Sequence, residues 1–161
     1  MKNVGIIRNA KDYFGFENHV KAVEKAFWAK FYVFREWQTK AVADYLQLGY
    51  VQYFEGFRRS GFLTNNMIFN SQIQGSAFHL LLWCLIQLNK LTLKRGWLSG
   101  LNWEIHDELI WDLNPAEEDE VLEATKNIME IETRKRFDWL IVPLVAEVAM
   151  TEIDQSWYYK K

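Results

Sequence analysis

LNWEIHDELIWDL, residues 101–113, contains two short strand-like segments on either side of a charged tripeptide. Apolar residues alternate with polar ones in the first segment, at Leu101, Trp103 and Ile105. The second segment is a shorter, fully apolar run at 109–111. This pattern predicts a β-hairpin whose tip is His106-Asp107-Glu108.

The tripeptide places charge where a tight turn ordinarily has Gly or Asn. Charged groups between apolar strands lose solvation if they face inward, so their presence indicates a functional role. A carboxylate at a rigid tip can ligate a hard cation such as Mg²⁺, which takes oxygen ligands. An exposed polar turn has the same composition, and the tripeptide alone leaves both interpretations open.

Length and composition narrow the class of protein. With 161 residues, half of them apolar and 16% aromatic, the chain is expected to form a single domain, 1–161, with a sizeable core. The single Cys84 excludes an intrachain disulfide and suits a reducing cytoplasm. No apolar run approaches a membrane span and the N-terminus lacks the layout of a signal peptide, so we expect a cytoplasmic protein without a membrane partner.

Helical periodicity dominates the first two thirds of the chain. Residues 1–15 are poorly defined, and 17–47 are predicted to be helical, in one or two segments. Residues 50–57 suggest a short strand or hairpin, and another helix is expected from a cap at Thr64 or Asn65 to Gly96. The apolar stripe of the first helix is predicted to be buried core: Val20, Val23, Phe27, Phe31, Phe34 and Trp37.

A last helix is predicted after the hairpin, at 114–136. Asn114-Pro115-Ala116-Glu117 offers a cap, Pro at the first helical position and Glu at the third. The residues expected to face inward are Val121, Leu122, Thr125, Ile128 and Met129. Residues 140–150 predict a final strand, and because Pro143 interrupts it, the proline marks either an edge strand or the start of the strand. The tail at 157–159, Trp-Tyr-Tyr, is too aromatic for an ordinary frayed end.

Two polar features suit a nucleic-acid partner. Asn66, Asn70 and Gln74 recur every four residues and therefore form a stripe along one helical face. Amides carry donors and acceptors without charge, which suits reading base edges, although such a stripe can also face water. Arg58 and Arg59 can clamp phosphates through bidentate forks or form surface ion pairs. The net charge is only −2, but a near-neutral total can hide a basic face.

Six stretches resemble, in order and in register, the C-terminal part of family A DNA polymerases. FWAKFYVFREW and GYVQYFEGFRR are similar to the helix after the fingers and to the G-Y-V-x-T-x-x-G-R-R-R segment. NSQIQGSAFH is similar to N-A-P-x-Q-G-T-A-A-D, and WEIHDELIW to motif C, usually V-H-D-E. VPLVAEV and DQSW are similar to the closing V-P-L-x-V-E-V strand and the terminal W-D-Q. The resemblance covers about residues 27–155.

The resemblance implies roles for individual residues. Asp107 would be one of two carboxylates that hold paired Mg²⁺ ions, with His106 by the primer terminus and Glu108 as an accessory carboxylate. Asn70 and Gln74 would contact the minor groove of the nascent duplex. Every correct base pair presents acceptors there, so amide donors can test pair shape without reading sequence. The implied partners are a DNA primer-template and deoxynucleoside triphosphates.

Departures from the family pattern are equally informative. Asn66 stands where the family has Arg, and His79 where it has Asp. No motif A strand of the Asp-Tyr-Ser type is present, and Arg8 and Lys11 only faintly echo the fingers helix. Since the chain opens with Met1, the resemblance predicts the smaller piece of a split polymerase, of the kind some phages encode, acting in the host cytoplasm. A complementary fragment would carry motif A and the fingers. An expressed fragment or a gene remnant would have the same sequence features.

The expected fold class is α+β, an incomplete polymerase palm. The motif C hairpin and the final strand would form an antiparallel sheet backed by three or four helices. The expected function is DNA-templated DNA synthesis by a two-metal mechanism, carried out jointly with the second chain. Two alternatives stay open: a non-catalytic DNA-binding or replisome accessory protein derived from a polymerase, and an unrelated structural domain.

Overall fold

The computed structural model describes the backbone of residues 10–161 and the side chains of residues 13–161. Their contacts group into two compact units that divide between Gln72 and Ile73. The single domain expected from the sequence stays a prediction. Part of the poorly defined N-terminal segment, residues 1–9 with Arg8, lies outside the described residues.

The first unit begins with two consecutive helices. Helix α1 spans Ala10–Lys30 and α2 spans Tyr32–Leu48, so the predicted helical region is confirmed in its two-segment form. Helix α1 begins seven residues earlier than predicted and runs through Gly15, which is not a breaker here. Helix α2 ends at Gly49, whose φ of 77° lies in the left-handed region and whose N–H donates to the carbonyl of Tyr45. That conformation costs a residue with a Cβ more than it costs glycine.

A short hairpin and the start of the long helix complete the first unit. Strands β1 (Tyr50–Gln52) and β2 (Arg58–Ser60) pair antiparallel. Helix α3 (Asn65–Arg95) follows, and Thr64 caps it. The Thr64 hydroxyl accepts from the N–H of Met67 at 3.3 Å. The core of the first unit consists of three buried residues and the partly buried side chains around them: Ala41, Val51 and Ile68, with Val42, Tyr45, Leu63 and Phe69.

The apolar stripe of α1 and α2 is not core, and that prediction is wrong. Val20, Val23, Phe27, Phe31 and Phe34 are all 41% or more exposed, and only Trp37 is half-buried, against Phe69. Among the described residues of this unit, no element covers the stripe. The rings stack on each other instead, with Phe34 and Trp37 5.4 Å apart at an interplanar angle of 16°. Periodicity identified the apolar face, but it cannot say what covers that face.

The second unit is built on the remainder of α3. Strands β3 (Gly100–Ile105) and β4 (Glu108–Asp112) form the predicted antiparallel hairpin. The last helix is continuous but changes type: α4 covers Glu118–Lys126, a π-helical turn covers Asn127–Glu132, and α5 covers Thr133–Arg136. Its end at Arg136 is as predicted. The core contains buried Cys84, Leu88 and Ile128 with partly buried side chains around them: Trp83, Leu91, Leu101, Leu109, Trp111 and Met129.

The start of the last helix is capped as the sequence predicts, with one difference. The Asn114 side chain accepts from the N–H of Ala116 at 3.1 Å, and Pro115 opens a 3₁₀ turn. Glu117 does not return to the cap residue. Its carboxylate accepts from the N–H groups of Leu98 (2.9 Å) and Ser99 (2.8 Å) and from the Ser99 hydroxyl (2.7 Å). Glu117 therefore joins the helix to the segment that precedes β3.

Residues 140–150 do not form the predicted final strand. The expected sheet of the hairpin and that strand is therefore wrong. Pro143 has no N–H to give to a ladder, and the described chain offers no strand beside this segment. Individual bonds hold it instead. The N–H of Ala146 donates to Glu130 at 2.8 Å, and Met150 and Lys161 exchange two backbone hydrogen bonds of 2.9 Å each.

Helix α3 is long and apolar enough, by length and composition alone, to cross a membrane. The sequence expectation that no stretch approaches a span is corrected to that extent. The long core helix of a soluble protein passes the same test, so this finding is weak evidence for a membrane.

Candidate active site and nucleic-acid interface

The hairpin of the second unit ends in a two-residue turn. Ile105 pairs with Glu108, so His106 and Asp107 alone form the turn and Glu108 is the first residue of β4. His106 has a φ of 59°, a left-handed conformation that glycine usually takes in such turns. Because non-glycine residues adopt it at a cost, they are found there mostly in turns and at functional sites.

The three side chains of the tip are all exposed. Asp107 therefore presents a carboxylate to solvent on a short, fixed turn, which is the donor type that Mg²⁺ prefers. In the described part of the chain, no group of three or more His, Cys, Asp or Glu side chains lies close enough to hold a metal ion. Asp107 thus fits a magnesium site as one ligand among several, and the tip is not a complete cage.

A packed base supports the tip. Leu101 on β3 and Leu109 and Trp111 on β4 contact the buried cluster that contains Leu88 and Ile128. Full burial of a large apolar side chain contributes about 1.5–3 kcal/mol, and each of these partly buried side chains contributes a part of that to the stability of the hairpin. The turn therefore has a fixed position relative to its own unit.

A β-bulge divides strand β3 into two parts. Leu101 pairs with Trp111 and Trp103 with Ile110, so Asn102 is the extra residue. Because of the extra residue, the side chains after the bulge point to the opposite face of the sheet from the one that the alternation predicts. Trp103 is therefore 64% exposed and Ile105 is 40% exposed. The alternation in the sequence thus does not continue on one face. A Cβ at Gly100 would meet the Asn102 carboxamide oxygen at 2.9 Å, so a larger residue there would displace the exposed Asn102 side chain.

The outer face of the hairpin holds an apolar cleft of about 410 Å³. Its lining comes from both strands and the tail: Asn102, Trp103, Ile105, Ile110, Trp111, Asp112 and Trp157. The aromatic tail noted in the sequence therefore lies against the hairpin. Trp157 belongs to a 3₁₀ turn, Trp157–Tyr159, which Ser156 caps.

Lys160 contacts the tip and was missed by sequence reasoning. Its ammonium lies 3.4 Å from each carboxylate oxygen of Glu108 and 4.9 Å from the ring centroid of Trp157. The sequence offers only an indirect signal, the unusual aromatic content of the tail. Nothing in the spacing of Lys160 from Glu108, 52 residues apart, points to this contact.

The amide stripe lies on helix α3. Asn66, Asn70 and Gln74 are all exposed and recur at intervals of one helical turn. Their carboxamides are therefore accessible to a partner along one face of the helix. Gln72, the last residue of the first unit, lies outside the stripe, and its side-chain amide donates to the carbonyl of Gln52 at 3.5 Å.

Arg58 and Arg59 do not act as a pair. They are neighbours on β2, and successive strand residues point to opposite faces. Arg58 is exposed, with its guanidinium 4.6 Å from the ring centroid of Tyr50. Arg59 is half-buried and donates to the Ser71 hydroxyl at 2.9 Å. Because the two guanidinium groups lie on opposite faces of the strand, a phosphate clamp formed by both arginines fits this geometry poorly. Neither arginine forms an ion pair within the described part of the chain, so the surface ion pair fits poorly as well.

Two groups in the described part of the chain have a clearly shifted pKa, Glu117 and Cys84. Hydrogen bonds from the Leu98 N–H, the Ser99 hydroxyl and the Ser99 N–H lower the pKa of Glu117. Burial raises the pKa of the Cys84 thiol, which lies 3.0 Å from the Thr133 hydroxyl. Cys84 is therefore a neutral packing residue, because a reactive cysteine needs an accessible thiolate.

The comparisons with known proteins agree on one family. The model of DNA polymerase family A matches residues 16–158. DNA polymerase I of Streptococcus pneumoniae is 26% identical over 178 residues, and the match covers 99% of this chain but 19% of that protein. DNA polymerase I of Lactococcus lactis subsp. lactis is 34% identical over 105 residues, 65% of this chain and 11% of the relative. This chain spans about a fifth or less of the relatives it matches.

A solved structure shows the same fold. It is the POL domain of Pol1 from M. smegmatis in complex with DNA primer-template and dNTP. The TM-score is 0.63 at 20% identity, over 70% of this chain and 22% of that domain. The likeness confirms the predicted fold class, an α+β partial palm. Since the family model matches most of its length, the chain belongs to DNA polymerase family A.

Proposed function

We propose that this chain carries out DNA-templated DNA synthesis as the motif C part of a family A active centre. The reaction joins a nucleotide from a deoxynucleoside triphosphate to the primer 3′-hydroxyl and releases pyrophosphate. The observation that supports it best is an exposed aspartate, Asp107, on a fixed turn, inside a region that the family model matches throughout.

Asp107 is the proposed ligand of catalytic Mg²⁺, and Glu108 an accessory carboxylate. When bound, paired Mg²⁺ ions would activate the 3′-hydroxyl and stabilise the charge on the leaving pyrophosphate. The protein must hold its carboxylate in place before the metal arrives, and the packed hairpin base supports this role. His106 shares the turn with Asp107 and is proposed to lie by the primer terminus.

The primer-template is the proposed partner of the first unit and of helix α3. The exposed amides of Asn70 and Gln74 can donate to the minor-groove acceptors that all correct pairs share. Asn66 would extend the same face, without the charge that the family has at that position. Arg58, stacked on Tyr50, can supply a cation to a phosphate, and Arg59 would position the strand through Ser71.

A complementary fragment is a further part of the proposal. One carboxylate cannot fix two Mg²⁺ ions, and the triphosphate needs a cationic grip. We propose that a second chain brings the motif A aspartate and the fingers, and that the two act in the cytoplasm, that of the host if a phage encodes them. The exposed apolar stripe of α1 and α2, which no described element of its unit covers, supports a contact with such a fragment.

Two matched variants test the role of Asp107 in the assembled enzyme. Asp107→Asn should abolish primer extension, because the amide keeps the shape but loses the metal-binding charge. Asp112→Asn is the control, since Asp112 is an exposed carboxylate at the other end of the same strand. Equal extension rates in the two variants would reject a metal-binding role for Asp107. DNA binding without extension, in either variant and in the wild type, would favour the accessory alternative.

A further inference from the structure

The C-terminal segment folds back to the hairpin tip. Two reciprocal backbone hydrogen bonds of 2.9 Å between Met150 and Lys161 close residues 150–161 into a loop. Within it, the Ser156 hydroxyl accepts from the N–H of Tyr158 at 3.3 Å and starts the 3₁₀ turn. These bonds give the last residues a defined path, although all of them are exposed.

Lys160 is held by two different groups at the end of that loop. Its ammonium lies over the ring of Trp157, which itself lines the cleft on the outer face of the hairpin. It is also equidistant from both oxygens of Glu108, at 3.4 Å. The ammonium thus links the Glu108 carboxylate at the tip to the Trp157 ring of the tail through two separate contacts.

We infer that Lys160 is a positioning residue that engages Glu108 and so reserves the catalytic cation for Asp107. The inference rests on the proposed function of Asp107. Adjacent carboxylates on one tip compete for a hard cation, because both offer the oxygen ligands that it takes. A carboxylate that already accepts from an ammonium has less charge and fewer free lone pairs to offer.

The pair also sets the charge at the tip. Asp107 and Glu108 together would attract divalent cations strongly but without a preference between the two carboxylates. With Lys160 in place, the net charge of the three groups is −1 instead of −2. The expected consequence is a weaker but more selective site, in which the cation is centred on Asp107.

The test is a Mn²⁺ titration of the 161-residue chain, followed by paramagnetic broadening of the NMR signals of the His106 ring. Lys160→Gln should bind Mn²⁺ roughly threefold to tenfold more tightly, as expected when the Glu108 carboxylate is no longer paired and offers a full unit charge several ångströms from the cation in a water-like dielectric. Lys161→Gln is the control, because it removes the same charge from the next position of the same loop. The gain should disappear when Glu108→Gln is added to Lys160→Gln, because Lys160 acts through that carboxylate.

Equal affinities of the Lys160→Gln and Lys161→Gln chains would overturn the inference. So would a gain that persists in the Glu108→Gln background, since it would come from net charge alone. Asp107→Asn separates the two levels of the argument. If that variant loses Mn²⁺ binding while Lys160→Gln changes nothing, only the role of Lys160 fails. If Asp107→Asn binds Mn²⁺ like the wild type, the proposed function fails, and the inference fails with it.

Discussion

Under the proposed function, Asn70 and Gln74 would test base-pair shape for an enzyme that must accept every base pair. Their carboxamides are uncharged, exposed and one helical turn apart. A charged residue would bind phosphate in any sequence and any geometry, whereas an amide bonds only where an acceptor lies at the right distance. These residues therefore suit a test of pair shape better than a general grip on DNA.

Asn70→Ala and Gln74→Ala should each weaken primer-template binding by about 0.5–1.5 kcal/mol, the usual value of one hydrogen bond. They should also narrow the difference between matched and mismatched primer ends, because mispairs displace the minor-groove acceptors. Fluorescence anisotropy with matched and mismatched duplexes measures both effects. Asn89→Ala, an exposed amide of the same helix off the stripe, is the control and should change neither. Equal losses on single-stranded DNA would contradict groove reading.

Residue types could be predicted from the sequence, but their pairing across the chain could not. The charged tip and the amide stripe follow from spacing alone, since each lies within one element. The contact between Lys160 and Glu108 joins the chain end to a hairpin, and the separation of Arg58 from Arg59 depends on which strand face each takes. Both are decided by tertiary packing, which periodicity does not contain.

At the scale of elements, the π-helical turn in the last helix depends on one threonine. Thr133 is fully buried, and its hydroxyl donates to the carbonyl of Ile128, five residues earlier, at 2.8 Å. The same hydroxyl lies 3.0 Å from the Cys84 sulfur on α3. The hydroxyl is thus a second donor to a carbonyl that already accepts from the N–H of Thr133, and it joins the helix to α3. Turns of this kind often mark functional sites.

Thr133→Val should destabilise the chain by about 0.5–1.5 kcal/mol, because it removes one buried hydrogen bond while the Ile128 carbonyl keeps the backbone N–H of Thr133 as a donor. Thr125→Val is the matched control on the same helix. The Thr125 hydroxyl is buried without a hydrogen-bond partner in the described part of the chain, so its removal should be neutral or stabilising. Urea unfolding of both variants measures the difference. If both lose the same stability, the hydroxyl of Thr133 has no particular role.

Glu117 makes the connection between the last helix and β3 sensitive to acid. Hydrogen bonds hold its pKa below the ordinary value of 4.5, so folding favours the charged form. The resulting stability is complete above about pH 4.5 and is lost as the pH falls through the lowered pKa. The melting temperature of Glu117→Gln should therefore lie below that of the wild type at neutral pH. The gap should close in acid.

The control for this prediction is Glu118→Gln, one residue further along. In the described part of the chain, Glu118 makes none of the bonds to Leu98 and Ser99 that Glu117 makes. A melting-temperature gap for Glu117→Gln that stays constant from neutral pH to pH 3 would show that its carboxylate charge is not the source of the stability.

Most elements could be predicted because their signals are local. The caps at Thr64 and Asn114, and Gly96 after α3, mark helix ends by their own chemistry. The bulge at Asn102 and the missing final strand were not predictable in the same way. A bulge depends on register with β4, and a strand exists only if another strand pairs with it.

At the scale of the whole chain, the most general feature is exposed apolar surface within each unit. The stripe of α1 and α2 and the outer face of the hairpin both carry large rings and aliphatic side chains in contact with solvent. Surfaces of this kind usually mark contacts with another protein. Under the proposed function, a complementary fragment would cover these surfaces.

The chain alone should therefore self-associate, and the complementary fragment should suppress that association. Size-exclusion chromatography with light scattering, at several concentrations, measures the mass of each sample. A Phe27→Ser, Phe31→Ser double variant, which removes two exposed rings of α1 and α2, should reduce self-association. A wild-type chain that stays monomeric at all concentrations would contradict this expectation.

Primer extension is the most direct measurement of the proposed division of labour. The chain is assayed alone, the complementary fragment alone, and the two together, each with Mg²⁺, a primer-template and all four deoxynucleoside triphosphates. We predict extension only in the mixture, because under the proposed function Asp107 would supply one of two metal-binding carboxylates and the fragment would supply the other, together with the grip on the triphosphate. Extension by the chain alone, or a mixture no more active than its parts, would contradict the proposal.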